Sequence, residues 1–405
     1  MSEPVTSNNQ EGLQLGMLDR ASAAEFGDRC KKEFANRLVF ATSVVGPGEF
    51  IENCDGKSVY FENLGIALIR DDLKGALEPY FRFFESERTR RLPTPPIGLP
   101  VTITNPSPCL VDTDESTWGL QATAHTNSKR NGKGIKVAIL DSGLDFKHEA
   151  FRGRAATYVS RSFVAKPANV DELGHGTACA SILCGQPVLA SGQRIGVAPA
   201  VDLVVAKIFD KNMKSPDVRT LAAIDWAIGE KCSIISMSIG DPLDTDAAPS
   251  KVFEEAAKAA LAKGILLIAG AGNDSRRSDQ VFEPVNHPAN CESIMAVGAL
   301  DRCLNVAEVS NRSLRKSGGE INLAAPGRSI RVANADAMER YVLKHGTSFA
   351  VPFVAGIAAL WMQADKTKKL KGQSLWKKLV ATARPLSQVT PLDPDVGAGI
   401  PQAPQ

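Results

Sequence analysis

A doubly wound α/β domain with a mostly parallel sheet, preceded by a small α+β unit, is the fold class this sequence predicts. Five short, nearly continuous apolar runs lie at 135–140, 201–208, 232–239, 265–271 and 293–300, and such runs suit strands buried on both faces. Helical stretches fall between them, and this alternation over about 250 residues argues for crossover connections. A proline cluster at 92–108 separates this region from a shorter, strand-rich one before it.

In chain order, residues 1–33 are polar and carry no clear period, so they read as a flexible lead-in. Residues 34–91 form the small unit. RLVFATSVV (37–45) and SVYFENLGIALI (58–69) are rich in β-branched and aromatic residues and predict strands. A helix is expected from Asp71, with Pro79 breaking or restarting it. Residues 92–115 read as an extended linker, 116–388 as the α/β domain and 389–405 as a C-terminal tail. Inside the α/β domain, 220–231 places Leu221, Ile224, Ala227 and Ile228 on one helical side, and 250–264 is an Ala-rich helix ending at Gly264.

Composition narrows the function. The 405 residues suggest two to three domains at about 150 residues each. A net charge of +2 leaves no electrostatic footprint for nucleic acid or an acidic membrane. No run of about 18 apolar residues argues for a membrane span, and the polar N-terminus lacks a secretory profile, which favours the cytoplasm. The eight cysteines are scattered without a CxxC pair, so they read as free, partly buried thiols rather than disulfides or a metal knuckle.

Three segments carry chemistry. Asp141 follows a buried strand in VAILDSG, His175 opens an apolar helix in ELGHGTACASIL, and Ser348 opens a longer one in KHGTSFAVPFVAGIAALWM. Singly, each has a bland reading as a turn or capping residue. Together they supply an orienting carboxylate, a general base and a nucleophile, with glycines where a substrate backbone must approach. His345, only three residues from Ser348, is a rival base that lacks the context of His175 and reads as a cleft-edge residue.

The DSG at Asp141, the GHGT at His175, the AGN at 271–273 and the GTSxAxP at 346–352 resemble the subtilisin-like serine proteases, as do GVAP (196–199) and SMSIG (236–240). The resemblance runs from Trp118 to Arg384 and implies a serine endopeptidase working through an acyl-enzyme. It assigns Ser348 as nucleophile, His175 as base, Asp141 as its orienting partner and Asn273 as the oxyanion-hole side chain. For substrate it implies an extended peptide added as a strand, with Ser238, Ile239 and Gly240 on one side and Lys214 and Ser215 on the other. Ala271 and Gly272 would wall the pocket for the side chain preceding the cut, and Asn286, in place of a common floor glycine, would make that pocket shallower and more polar.

The resemblance also marks departures. No calcium loop is recognisable in CGQPVLASGQRIGV, and Ala150 falls where a calcium-binding Asp is expected, so no cofactor is expected and a structural calcium lacks support at the usual site. Phe349 stands in place of an oxidisable Met, and Cys179 reads as a buried helix contact. The expected partners are a polypeptide substrate and the chain's own residues 34–91, a propeptide-like intramolecular inhibitor with self-cleavage somewhere in 92–115; nucleic acid and membrane are not expected. The alternatives are a dedicated precursor-peptide maturation protease and a catalytically silent peptide-binding scaffold.

Overall fold

The computed structural model describes residues 13–19, 26, 32, 37–40, 57–92, 109–153, 158–164, 170–242, 248–314, 318–335, 338–386 and 393–405. The proline-rich stretch 93–108, most of 1–33 and the second half of the strand expected at 37–45 lie outside these residues.

The N-terminal unit is a five-stranded sheet of β1 (Leu13–Leu18), β2 (Leu38–Phe40), β3 (Ser58–Phe61), β4 (Ile66–Arg70) and β5 (Phe81–Ser86), in the order β2-β3-β4-β1-β5. Helix α1 (Asp71–Leu77) gives way to a single 3-10 turn at Pro79, as the missing N–H dictates. The flexible lead-in expected at 1–33 is corrected here. Leu13–Leu18 pairs antiparallel with both β4 and β5, and a Cβ on Gly16 would collide with the Phe81 ring. The strand's partners lie far along the chain, so its own six residues carry little signal.

Period-two alternation gives the sheet two apolar faces. Ala67 and Ile69 join Leu18, Tyr60, Leu73 and Leu77 in a small outer core. Ile66 and Leu68 join Leu15, Met17, Val59 and Phe61 against the larger domain. There they pack on α4 (Asp217–Gly229) and α5 (Lys251–Ala262). Carboxylates fix the docking. Glu85 accepts from Ser250 Oγ and Val252 N at the start of α5, and Glu87 accepts from Val218 N at the start of α4. Asp225 on α4 accepts from the Asn63 and Leu64 amides.

The larger domain holds a seven-stranded sheet, ordered β14-β13-β12-β11-β7-β9-β8 and parallel throughout. The five apolar runs are β7 (Lys136–Asp141), β9 (Asp202–Lys207), β11 (Ile234–Met237), β12 (Leu266–Gly270) and β13 (Met295–Leu300). Two further strands, β8 (Tyr158–Ser162) and β14 (Ile321–Pro326), form the edges. Strand order reverses between β7 and β11, and in doubly wound sheets a crevice opens at the carboxyl ends there. Beyond the short α2 (Trp118–Ala122), helix α3 (His175–Cys184) and the long α6 (Thr347–Ala364) pack together beneath it. By length and composition α6 could cross a membrane, but most of it is buried in this core.

Two expectations about the ends change. Of the region taken as a C-terminal tail, 393–405 is part of the core: Ile400 is fully buried, its backbone pairs with Arg384, and Trp361 Nε1 donates to Gln402 O. The all-thiol reading fails for one pair, because Cys109 and Cys303 form a disulfide, while Cys179, Cys184, Cys232 and Cys291 are buried. The bridged residues are separated by 194 positions, a distance at which spacing carries no pairing information.

Candidate active site

Asp141 ends β7 at the switch point, completely buried. Its Oδ1 accepts from Ser142 N at 2.7 Å and from His175 Nδ1 at 2.8 Å. That contact assigns the proton of the imidazole to Nδ1 and leaves Nε2 as the basic lone pair. Oδ2 is buried with no donor among the described residues.

His175 is held by the start of α3. Gly174 precedes it at φ +74°, in the left-handed region, and a Cβ on Gly176 would collide with Gly143 O. A residue missed by sequence reasoning, Asp171, organises this turn. Its buried carboxylate accepts from the Leu173, Gly174 and Thr177 amides and from the Ser142 and Thr177 hydroxyls. Ser142 Oγ in turn accepts from Gly176 N, tying the Asp141 turn to the His175 helix. The available signal was a helix-start Asp six residues before Thr177.

Burial disfavours the His175 cation, but the Asp141 charge and hydrogen bond outweigh it and hold the pKa well above the ordinary histidine value. The thiol of Cys179 lies 3.8 Å from Nδ1. Burial pushes that thiol's own pKa up, so it stays protonated and brings no full charge to the imidazole.

Ser348 sits in the first turn of α6, after Gly346 at φ +134°. The helix would normally use the Ser348 carbonyl to accept from the N–H of residue 352, but that residue is proline. The freed carbonyl accepts instead from Ser238 Oγ at 2.8 Å and Cys179 Sγ at 3.5 Å. The loop after β11 and the His175 helix therefore both clamp the Ser348 peptide. Phe349 lies 5.5 Å from the His175 ring, centroid to centroid. Among the described residues no hydrogen bond joins Ser348 Oγ to His175; in resting sites such contacts are commonly long and tighten with substrate.

Asn273 follows β12, with Oδ1 accepting from Thr347 N at 2.8 Å and Thr347 Oγ1 at 3.1 Å. This orients the amide so that Nδ2 is the end left for a ligand beside the first-turn N–H groups of α6. Thr347, which sequence reasoning noted only as part of a motif, is thus the residue that sets Asn273.

The cleft is a cavity of about 570 Å³ lined by Gly240, Asn273, Asn286, Lys214 and the carboxylates Asp241 and Asp274. Ser238, Ile239, Ser215, Ala271 and Gly272 do not line it. Ser238 and Ile239 are buried behind its wall, and Ala271 O accepts from Asn286 N, holding the floor. Along one side, β10 (Lys214–Pro216) pairs antiparallel with β6 (Thr89–Arg91) of the N-terminal unit, and Leu92 N donates to Met213 O. Leu92 itself lines the cavity.

The rival His345 accepts from Ser329 N through Nδ1, at 2.9 Å. Burial, with Arg328 and Lys344, pushes its pKa down. Ala150 is fully buried and its carbonyl accepts from Gln186 N.

Residues 132–399 match the model of the subtilase family. The chain is 33% identical over 247 residues to a thermostable alkaline protease of Halalkalibacterium halodurans, covering 60% of this chain and 62% of that relative's length. It is 32% identical over 275 residues to an intracellular serine protease of Paenibacillus polymyxa, covering 66% of this chain and 79% of the relative. Against subtilisin Savinase of Lederbergia lenta it is 30% identical over 251 residues, 61% and 84% of the two chains.

Proposed function

Because the chain belongs to the subtilase family, we propose that it is a serine endopeptidase whose chemistry is carried by Asp141, His175, Ser348 and Asn273. The observation that carries this reading is the 2.8 Å bond from His175 Nδ1 to a buried Asp141 beside the α6 start that presents Ser348. Ser348 Oγ attacks the peptide carbonyl as His175 Nε2 takes its proton, and the oxyanion receives hydrogen bonds from Asn273 Nδ2 and the Ser348 N–H. The imidazolium, balanced by Asp141, then protonates the leaving amine, and the acyl-enzyme forms. Water repeats the sequence in reverse roles and frees the acid.

The same reading gives the N-terminal unit its part. A peptide substrate would add to Lys214–Pro216 as a strand, and β6 of this chain already lies there. Residues 34–91 are therefore an intramolecular inhibitor that is removed or displaced before turnover. No cofactor enters any step.

A serine-directed fluorophosphonate probe tests the enzyme: it should label the chain and fail to label Ser348→Ala. Equal full-length masses for both forms after incubation would remove self-processing. Asn273→Ala should lower kcat about 10²–10³-fold, a magnitude carried over from a relative. Location is read separately. The cytoplasmic expectation agrees with the name of the Paenibacillus relative, whereas disulfides persist in oxidising compartments. Alkylation in intact cells should modify Cys109 and Cys303 if the cytoplasm is right, and protection of both would overturn it.

A further inference from the structure

We propose that Asp274 gives this site a preference for a basic side chain, lysine or arginine, immediately before the cut; this rests on the protease reading above. The cavity beside Asn273 is where that side chain would enter, and Asp274 and Asn286 line it together with the apolar Leu92, Met213 and Pro242. Asp274 Oδ2 accepts from Asn286 Nδ2 at 2.7 Å and from Asn311 Nδ2 at 3.1 Å. Asn311 Oδ1 in turn accepts from the Asp274 amide at 2.9 Å, and its Nδ2 also donates to Asn286 Oδ1 at 3.1 Å.

The carboxylate is thus fixed by a closed set of amides. Its second oxygen, Oδ1, makes no hydrogen bond among the described residues, and Asp274 is one of the residues that line the cavity. Gly272 permits this floor. At φ +115° a Cβ there would fall 2.6 Å from Asn286 Cγ and collide with Asn311. Asp241 and Lys214 also line the cavity.

An aromatic or aliphatic side chain entering here would take Asp274 Oδ1 out of water and give it no donor, which is the costly case for a buried polar group. A lysine or arginine supplies the donor and the opposite charge together.

The test uses the full chain and a matched peptide series varying only the residue before the cut: Lys, Arg, Gln, Leu and Phe. kcat/KM for Lys and Arg should exceed that for Leu by about ten- to a hundredfold. The advantage should shrink as salt rises and fall close to one in Asp274→Asn. Leu or Phe cleaved as fast as Lys would overturn the proposal, as would a ratio unmoved in Asp274→Asn or one carried instead by Asp241→Asn. Binding of the same peptides to Ser348→Ala separates the two readings. Lys-selective binding without turnover in the parent would remove the protease and keep the pocket. Equal binding of the Lys and Leu peptides would remove the pocket, whatever the turnover.

Discussion

Neutralising Glu87 should make the N-terminal unit hold on at alkaline pH. Burial against α4 raises the Glu87 carboxyl from 4.5 to about 7, opposed by the Val218 N–H bond and by Arg219 and reinforced by Asp217. Undocked, the carboxyl returns to the ordinary value, so the docked state binds the proton more tightly. The stabilisation is therefore complete below about pH 4.5 and is lost as pH rises to about 7. At 1.36 kcal/mol per tenfold change in acid constant, the loss is about 3 kcal/mol, or roughly a hundredfold in the docking equilibrium. Asp225 adds a slope of the same sign: burial lifts it from 3.8 to about 6 despite the bonds from Asn63 and Leu64. Hydrogen exchange of amides 58–70 in Ser348→Ala, corrected for intrinsic chemistry, reads the docking directly. Protection should fall steadily from pH 4.5 to 7.5 in that parent and stay nearly flat in Glu87→Gln/Asp225→Asn. A slope that survives in the double variant, or protection that rises with pH, would refute the reasoning.

Turnover depends on pH in the opposite sense. The proposed mechanism needs neutral His175, whose pKa Asp141 holds well above 6.5, so kcat/KM on a neutral peptide should decline on acidification with a midpoint above 6.5, and a lower midpoint would contradict the Asp141 assignment. Gly176→Ala should force the His175 turn away from Gly143 O and cost about a hundredfold or more in kcat, measured beside an intact circular dichroism spectrum. Cys303→Ser should lower unfolding stability by about 2–5 kcal/mol through loss of a long loop closure, read as a lower urea midpoint under oxidising conditions.

Much of the α/β sheet was legible because a strand buried on both faces needs an uninterrupted apolar run, and 135–140 and 265–271 can be little else. The edge strands Tyr158–Ser162 and Ile321–Pro326 were not, since an edge tolerates the mixed pattern of ordinary loops. The Asp141, His175 and Ser348 elements were legible because glycine and strand-end context repeats around them. Asp171 and Asp274 were not: a single Asp reads as a turn former, and their roles depend on donors such as Thr177 and Asn311 supplied from other turns. Leu13–Leu18 was hidden for a related reason, because its partners are chosen by the Phe81 and Ile66 strands rather than by its own pattern.

If the N-terminal unit is the proposed inhibitor, the pairing of Thr89–Arg91 with Lys214–Pro216 makes the chain its own first customer at the cleft. A tethered strand faces its groove at an effective concentration that reaches millimolar for short flexible links. A foreign peptide at micromolar level would meet an occupied groove in almost every molecule. Onset of activity would then follow the departure of one strand rather than the supply of substrate, and would look like a lag in time instead of a rise with dose.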